Sequence, residues 1–199
     1  MKNNLKNASN AKERILNSTL YIIGKEGFQN VTTRKIAAAA DVNIASINYH
    51  FGSKDNVINE ALKCFTGMFR NSFKILDNNE LTPIERLRNF LRSYSDVSIE
   101  YPDVFKNFIN KLIYNEEVQP EYMKFLQQEG ITSLMNILKE LTDIKDDYHL
   151  HMMGLQIIST LIFPILLGNK VENIARLDYK NKNVRYDYIE LLIESIQCK

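Results

Sequence analysis

The sequence predicts an all-α protein. Apolar residues recur three and four positions apart along most of its 199 residues, which is the spacing of one helix face. Proline at the first position of a helix marks several starts, most clearly in the run Thr82-Pro83-Ile84-Glu85. No segment shows the alternation of apolar and polar residues that is typical of a half-buried strand. We therefore expect helices joined by short linkers.

The first predicted helix begins at Asn10 and ends at Gly27. Asn10 and Glu13 have the spacing of a capping box, in which side chains satisfy the free N–H groups of the first turn. Glycine readily adopts the left-handed backbone that ends many helices. The apolar face of this helix carries Leu16, Leu20 and Ile23.

Residues 31–54, VTTRKIAAAADVNIASINYHFGSK, predict two short helices separated by a tight turn. A hydroxyl of Thr32 or Thr33 caps the first helix. Asp41 tolerates left-handed backbone in the turn, and Asn43 is a favourable cap for the second helix. A turn of about three residues is what a helix-turn-helix requires.

The second helix of this motif presents hydrogen-bonding groups to solvent. Ile47 and Phe51 are four positions apart and are expected to face inward. Hydroxyl, imidazole and ammonium groups on the remaining surface reach phosphate oxygens, whereas Asn addresses an adenine edge and Arg a guanine. The alternative is an ordinary helical corner whose polar residues meet water, but the density of phosphate-binding groups favours DNA. The candidates are Arg34, Ile44, Ser46, Asn48, Tyr49, His50 and Lys54.

These residues resemble the DNA-binding domain of the TetR/AcrR family of bacterial transcriptional regulators. The similarity covers about residues 11–62, with the runs ILNSTLYIIGKEGF, VTTRKIAAAADV and ASINYHFGSKDNVINEAL. Its most specific element is Tyr49-His50-Phe51 followed by Gly52-Ser53-Lys54-Asp55. The resemblance implies operator contacts, mostly to the DNA backbone, from Thr33, Arg34, Ser46, Tyr49, His50 and Lys54.

Three positions depart from the family pattern. Asp41 stands where the family usually has Gly, and Ile44 and Asn48 stand where Lys and Tyr are frequent. The turn should survive, because Asp accepts the same backbone region at modest cost. Base preference does not transfer, and we hypothesise that Ile44 meets a thymine methyl group.

The charge is unevenly distributed, although the net charge is only +1. Residues 1–56 contain eight Lys and Arg against four Asp and Glu, hence +4, whereas the remaining residues contain 17 against 20, hence −3. A basic amino-terminal part on an acidic body orients a protein on DNA, while the acidic body does not itself attract nucleic acid. We expect a DNA-binding domain at residues 9–56 and an effector-binding and dimerisation domain at residues 57–199.

The expected architecture is an amino-terminal three-helix head joined by a long helix to a larger helical ligand-binding and dimerisation domain. The joining helix runs from Ser53 to about Leu76 and is the natural element to transmit a rotation. Later helices are expected to start at Thr82-Pro83, Tyr101-Pro102, Gln119-Pro120 and Asp146-Asp147, and the last to span about residues 184–197.

The most apolar run, residues 152–168, is not expected to cross a membrane. It is shorter than the roughly 20 apolar residues that a spanning helix needs, and it contains Gln156 and Pro164. We expect it to be buried in the core or against a second subunit. Because the opening MKNNLKNASN lacks the apolar segment of a signal peptide, we expect a cytoplasmic protein.

The predicted body holds many aromatic and thioether side chains, which can line a cavity for an apolar ligand. The alternative is a plain helical core. The resemblance favours a ligand, because TetR-like proteins bind small effectors between helices of the body. The ligand-binding candidates are Phe65, Met68, Phe69, Phe105, Phe108, Met123, Met152 and Phe163.

Dimerisation is expected because one helix-turn-helix makes few contacts, and specific binding generally needs two on half-sites about one DNA turn apart. The operator is therefore expected to be palindromic. The resemblance implies that the last two long helices form a four-helix bundle with their mates. The interface candidates are Ile157, Ile158, Leu161, Leu191 and Leu192, with closure of the monomer core as the alternative.

Enzymatic chemistry is not expected. His149 and His151 do not share a helix face, and Cys64 and Cys198 form no metal spacing and are expected to stay reduced. No glycine-rich phosphate loop or nucleophile motif is present, and neither metal nor cofactor is expected.

The sequence thus predicts a DNA-binding transcriptional regulator, a repressor released from double-stranded operator DNA by a small apolar ligand. The alternatives are an activator or ligand-independent regulator with the same head and, in a different class, a helical interaction protein or enzyme that retains the head as scaffold.

Overall fold

The computed structural model describes residues 10–114 and 120–197. These residues form helices without any strand, which confirms the all-α class. Short 3-10 turns occupy Phe28–Asn30 and Ile75–Asp77, and a π turn occupies Leu126–Gly130. The α-helices are α1 (Ala11–Glu26), α2 (Thr33–Ala40), α3 (Ile44–Phe51), α4 (Lys54–Lys74), α5 (Pro83–Glu100), α6 (Pro102–Ile113), α7 (Pro120–Phe125), α8 (Ile131–Leu141), α9 (Asp147–Leu167), α10 (Lys170–Ala175) and α11 (Lys182–Gln197).

The helices group into two compact units. The first unit contains the described residues of 1–67 and 100–122, and the second contains those of 68–99 and 123–199. The first unit therefore holds α1 to α3, the start of α4 and the whole of α6. It extends beyond the head that is expected at residues 9–56.

In the first unit, α1 packs against α2, α3 and α6. The Asn107 amide of α6 donates to the backbone oxygen of Ile23 at 3.0 Å. A Cβ atom at Gly24 would lie 3.2 Å from Cγ2 of Val104, so the absence of a side chain there allows α6 to approach α1 closely. The same unit buries aromatic rings, with the Phe65 ring 6.0 Å from that of Phe108.

The second unit has an aromatic core. The centroids of Phe69 and Tyr94 are 4.8 Å apart, as are those of Phe73 and Phe90. The Phe125 ring packs edge-on against Phe73 at 5.6 Å. Ring pairs at these separations add to the free energy gained by burial alone, because the ring edge of one faces the electron-rich face of another.

A π turn replaces the continuous helix that apolar spacing after Pro120 predicts. Its last residue, Gly130, is buried, and a Cβ atom there would lie 3.3 Å from the rings of Phe73 and Phe125. A π turn inserts one residue into the helical repeat and so shifts the phase of the face that follows. Close ring packing at a glycine accounts for this position. Gln119 lies outside the described residues.

A buried arginine joins α5 to α11 within the second unit. Arg185 is 4% exposed and ion-paired with Asp96, and its guanidinium also donates to Ser95 Oγ at 3.3 Å and to the backbone oxygen of Tyr179 at 3.3 Å. The Tyr186 hydroxyl donates to the second oxygen of Asp96 at 2.7 Å. A buried charge of this kind persists because every side of it finds a partner.

A second ion-pair group supports the same two helices. Arg88 and Arg92 of α5 both reach the Glu190 carboxylate of α11, at 3.0 and 2.9 Å. These groups are about one third exposed, so solvent weakens their contribution relative to that of Arg185.

Among the described residues, α9 is the one helix that is long and apolar enough to cross a membrane by length and composition. A single helix of this kind is weak evidence for a span, because core helices of globular proteins meet the same criteria. The helix has 21 residues and begins at Asp147, as the pair Asp146-Asp147 predicts, and it contains all but the last residue of the apolar run 152–168.

Replacement of Arg185 by Met should lower the free energy of unfolding by about 3 kcal/mol, because it removes the donor to Asp96 Oδ1 and to the backbone oxygens of Tyr179 and Lys180. Lys182→Met is the matched control, since Lys182 lies 4.0 Å from the same carboxylate and is 64% exposed, and it should cost less than about 0.5 kcal/mol. Urea unfolding followed by circular dichroism at fixed protein concentration measures both. Equal losses would contradict the assigned role of Arg185.

Candidate nucleic-acid interface

The helix-turn-helix is defined by its caps. The Thr32 hydroxyl accepts from the backbone N–H of Lys35 at 3.2 Å and so starts α2. Asp41 has φ 52° and ψ 56°, the left-handed conformation that its position in the turn predicts. Asn43 Oδ1 accepts from the backbone N–H of Ser46 at 2.7 Å and starts α3. The expected caps and turn are therefore confirmed.

Two apolar side chains hold α3 on the first unit. Ile47 is fully buried and Phe51 is 8% exposed, as their spacing predicts. Arg14 of α1 donates through Nε to the backbone oxygen of Ala40 at 3.1 Å, at the end of α2. This bond satisfies a carbonyl group that lacks a partner within its own helix. The inner side of the motif is thereby tied to α1.

The outer side of α3 carries the predicted DNA-binding residues. Tyr49 is 86% exposed and Ile44 is 42% exposed, and Asn48 and His50 are also exposed. Ser46 is half-buried at the start of the helix. The rings of Tyr49 and His50 meet edge to face with centroids 5.1 Å apart. The outer face of α3 therefore offers amide, hydroxyl and imidazole groups to solvent.

The end of α3 leads directly into α4. Gly52 has φ 76°, a conformation that favours glycine, and Ser53 Oγ accepts from the backbone N–H of Asn56 at 3.2 Å. Lys54 is exposed at the first position of α4, with Nζ 3.9 Å from an oxygen of Asp55. Only Gly52 and Ser53 separate Lys54 from the last residue of α3, so Lys54 follows the exposed face of that helix closely in the chain.

The start of α2 supplies the remaining candidates. Arg34 is exposed and Thr33 is half-buried. The neighbouring Lys35 forms an ion pair with Glu26 of α1, which sequence patterns do not reveal because the partners are nine residues apart on different helices. The pair reduces the positive charge that Lys35 offers to a ligand, whereas Arg34 faces solvent.

Comparison with known proteins matches the amino-terminal part of this unit to one family. The profile described as "Bacterial regulatory proteins, tetR family" covers residues 15–61. The biofilm operon negative transcriptional regulator IcaR of Staphylococcus aureus is 24% identical over 133 residues, which are 60% of this chain and 72% of that protein. Residues 15–61 belong to the TetR family.

Solved structures of bacterial transcriptional regulators share the fold over nearly the whole chain. The ketosteroid transcriptional regulator KstR2 of Mycobacterium tuberculosis has a TM-score of 0.72 and 15% identity, with 94% of this chain and 95% of that one covered. A TetR transcriptional regulator from Legionella pneumophila has a TM-score of 0.70 and 22% identity, with 95% and 98% covered. At sequence identities of 15% and 22%, these two comparisons establish a shared fold and nothing further.

The chain is a DNA-binding transcriptional regulator. TetR-family proteins bind DNA operators and act as homodimers, and the family is one of transcriptional regulators rather than of enzymes. The fold and the exposed surface of α3 agree with this assignment.

The ligand-binding candidates are distributed over both units. Phe65, Phe105 and Phe108 are buried in the first unit. In the second unit, Phe69 is buried, and Met68 and Met123 are half-buried. Met152 and Phe163 are 45% and 62% exposed on α9, which differs from the enclosed setting expected of them. Their exposure follows from their position on the side of α9 opposite to its buried residues.

The dimer candidates also divide between two sides of their helices. Ile157 and Leu161 are buried in the core of the second unit, so they are not available to a partner surface. Ile158 and Leu192 are half-buried, and Leu191 is 65% exposed. The alternative of core closure therefore applies to Ile157 and Leu161.

The sequence analysis did not identify the exposed apolar stripe on α9. The helix is apolar on nearly every side, so periodicity does not indicate which side faces the core. Its exposed apolar side chains recur at spacings of three, four and seven residues, which places them on one helix face. That face is recognised only once the residues buried on the opposite side are known. The stripe consists of Tyr148, Met152, Leu155, Phe163 and Leu166.

The acidic start of α9 has a structural role. Asp146 accepts from the backbone N–H of His149 at 3.1 Å and also contacts its imidazole ring. Hydrogen bonds from His149 lower the pKa of the Asp146 carboxyl group. No group of His, Cys, Asp or Glu within residues 10–114 and 120–197 is arranged to hold a metal ion.

Ile47→Ala should lower the free energy of unfolding by about 3 kcal/mol, because it leaves a cavity beneath α3. Ile44→Ala, one turn earlier on the same helix and exposed, should change it by less than about 0.5 kcal/mol. Chemical unfolding of the two variants beside the native chain measures the difference. Similar losses would contradict the assignment of Ile44 to the outer surface.

Proposed function

We propose that this chain is a homodimeric, cytoplasmic repressor that binds a palindromic operator and is released when a small apolar effector enters the second unit. The observation that carries the proposal is the outer face of α3, which is exposed, rich in hydrogen-bonding groups and anchored from behind by Ile47 and Phe51. The name of the staphylococcal relative, a negative regulator, supports repression.

The DNA contacts fall into two groups. Tyr49, His50 and Lys54 reach phosphate oxygens, with Thr33 and Ser46 as nearby hydroxyl donors, and these contacts position the protein without reading sequence. Base recognition falls to three exposed side chains, with an amide for adenine, a guanidinium for guanine and an apolar surface for a thymine methyl group. The base-reading residues are Asn48, Arg34 and Ile44.

The dimer interface is formed by the exposed stripe on α9 together with Leu191 of α11. Large apolar side chains on one helix face are costly in water, and burial against a second copy removes that cost. The Tyr188 hydroxyl of α11 donates to the backbone oxygen of Thr160 on α9 at 3.4 Å, so the two helices are neighbours. A symmetric partner buries both and completes four helices.

The effector acts on the aromatic core of the second unit. Rings of Phe69, Phe73, Phe90, Tyr94 and Phe125 pack at centroid separations of 4.8–6.3 Å, so an apolar molecule enters only by moving them apart. Such a ligand shifts operator affinity only if it binds the released state more tightly than the DNA-bound state. The ketosteroid regulator of the same fold is named for apolar metabolites, which supports this ligand class.

Two alternatives make different predictions. An activator or ligand-independent regulator has the same DNA contacts, but deletion of its gene lowers or leaves unchanged the neighbouring transcript, whereas deletion of a repressor raises it. A helical interaction protein or an enzyme that keeps the first unit as scaffold shows no steep loss of DNA binding as salt rises.

Operator binding should become less dependent on salt when Lys54 is replaced by Met. Each phosphate contact contributes about 0.9 to the slope of log affinity against log salt, so two copies on two half-sites lose about 1.8. Fluorescence anisotropy with a labelled operator from the upstream region of the gene, at several potassium chloride concentrations, measures the slope.

Lys74→Met is the control for this experiment, because Lys74 is an exposed lysine at the far end of the same helix. It should leave the slope unchanged. A native slope in Lys54→Met would remove Lys54 from the DNA contacts.

Leu155→Glu should convert the dimer to a monomer, because it places a carboxylate in the apolar stripe of α9. Ile174→Glu is the matched control, since Ile174 and Leu155 are each 70% exposed and Ile174 lies on α10, outside the stripe. Sedimentation velocity at micromolar protein gives the mass of each variant. A dimer in Leu155→Glu, or a monomer in Ile174→Glu alone, would contradict the proposed interface.

A further inference from the structure

The first unit contains an open cleft of about 490 Å³ beside the start of α4. The 3-10 turn after α1 forms one wall with Phe28 and Gln29, α4 forms another, and Lys111 of α6 closes the third side. The volume lies within the range of small-molecule sites. The ring of Phe28 and the side chain of Ile58 supply an apolar surface on which the body of a ligand can rest.

The charge of the cleft favours an anion. Lys54 and Lys111 line it from different helices, and among the residues that the structure describes Asp55 is the one carboxylate in the lining. The ammonium group of Lys111 lies 4.6 Å from the centroid of the Phe28 ring, so it is placed next to the apolar wall. The distance of 3.9 Å between Lys54 and Asp55 is that of a loose, exposed ion pair, which an incoming anion can replace.

We propose that this cleft binds a small organic anion, a carboxylate or phosphate monoester joined to an apolar ring or short chain. The anionic group lies between Lys54 and Lys111, and the apolar part lies on Phe28 and Ile58. The amide of Gln29 offers a further hydrogen bond. This site differs in place and in ligand chemistry from the aromatic core of the second unit.

The cleft fits a small anion better than an extension of the DNA interface. Lys111 is half-buried beside a ring, whereas a lysine that reaches the phosphates of a duplex extends into solvent.

Occupancy of the cleft has a consequence that rests on the proposed phosphate contact of Lys54. The same ammonium group cannot serve the cleft anion and an operator phosphate at full strength, so the two ligands compete. Operator affinity therefore falls in the presence of the small anion, and by linkage the operator weakens binding of the anion by the same factor.

The first experiment tests binding without DNA. Phenyl phosphate, which combines one ring with one phosphate group, is titrated into the full-length protein and followed by two-dimensional amide NMR. Saturable shifts around Phe28, Ile58 and Lys111 are expected. Lys111→Met should weaken binding about tenfold, whereas Lys106→Met, on the same helix but outside the cleft lining, should not.

Absence of saturable shifts up to about 10 mM phenyl phosphate, or equal affinity in Lys111→Met and the native chain, overturns the site. Met keeps the apolar part of the lysine side chain, and an unchanged amide spectrum outside the cleft shows that the variant is folded. If Lys111→Met instead reduces the salt slope of operator binding and phenyl phosphate does not bind, the cleft belongs to the DNA interface and the proposal is wrong.

The second experiment tests the competition. Saturating phenyl phosphate, with ionic strength matched by potassium chloride, should lower operator affinity severalfold in the native chain and leave it unchanged in Lys54→Met. Binding of phenyl phosphate with no effect on operator affinity overturns the competition while the site itself stands. Failure of operator binding in the native chain without phenyl phosphate would instead contradict the proposed function.

Discussion

The burial of Ile47 and Phe51 beneath α3 is the constraint on which the DNA-binding surface depends. These two side chains fix the rotation of a helix only eight residues long, which is too short to be stable alone. Because these two side chains are buried, Asn48, Tyr49 and His50 lie on the solvent-exposed side of the helix. The caps at Thr32 and Asn43 then set where each helix of the motif begins, and Arg14 ties the turn to α1.

The sequence predicts the first unit well because its determinants are local. A cap, a left-handed turn residue and an i, i+4 apolar pair all act within a few positions of one another, and each of these was found where its pattern indicates. The DNA-binding candidates follow from the same pattern, because the residues that are not buried on α3 are necessarily exposed. The roles of the individual exposed side chains at DNA stay predictions.

The second unit was harder to predict because its determinants act between distant residues. On α9, an apolar residue such as Ile157 and one such as Leu155 are indistinguishable by type, and only packing against other helices decides which is buried. The ion pair of Arg185 with Asp96 joins positions 89 residues apart, and the ring packing around Gly130 explains a π turn that helical periodicity conceals. Each depends on tertiary contacts that no local pattern encodes.

The packing of α6 on α1 means that the DNA-binding unit is not one continuous stretch of chain. Asn107 and Val104, which follow α1 by some 80 residues, cover part of its surface close to Ile23 and Gly24. A chimera built by exchanging only the amino-terminal segment with that of a relative would therefore join a foreign α1 to the native α6. Exchange of operator specificity between such regulators would require both segments to be transplanted together, or only the outer residues of α3 to be replaced on an otherwise intact chain.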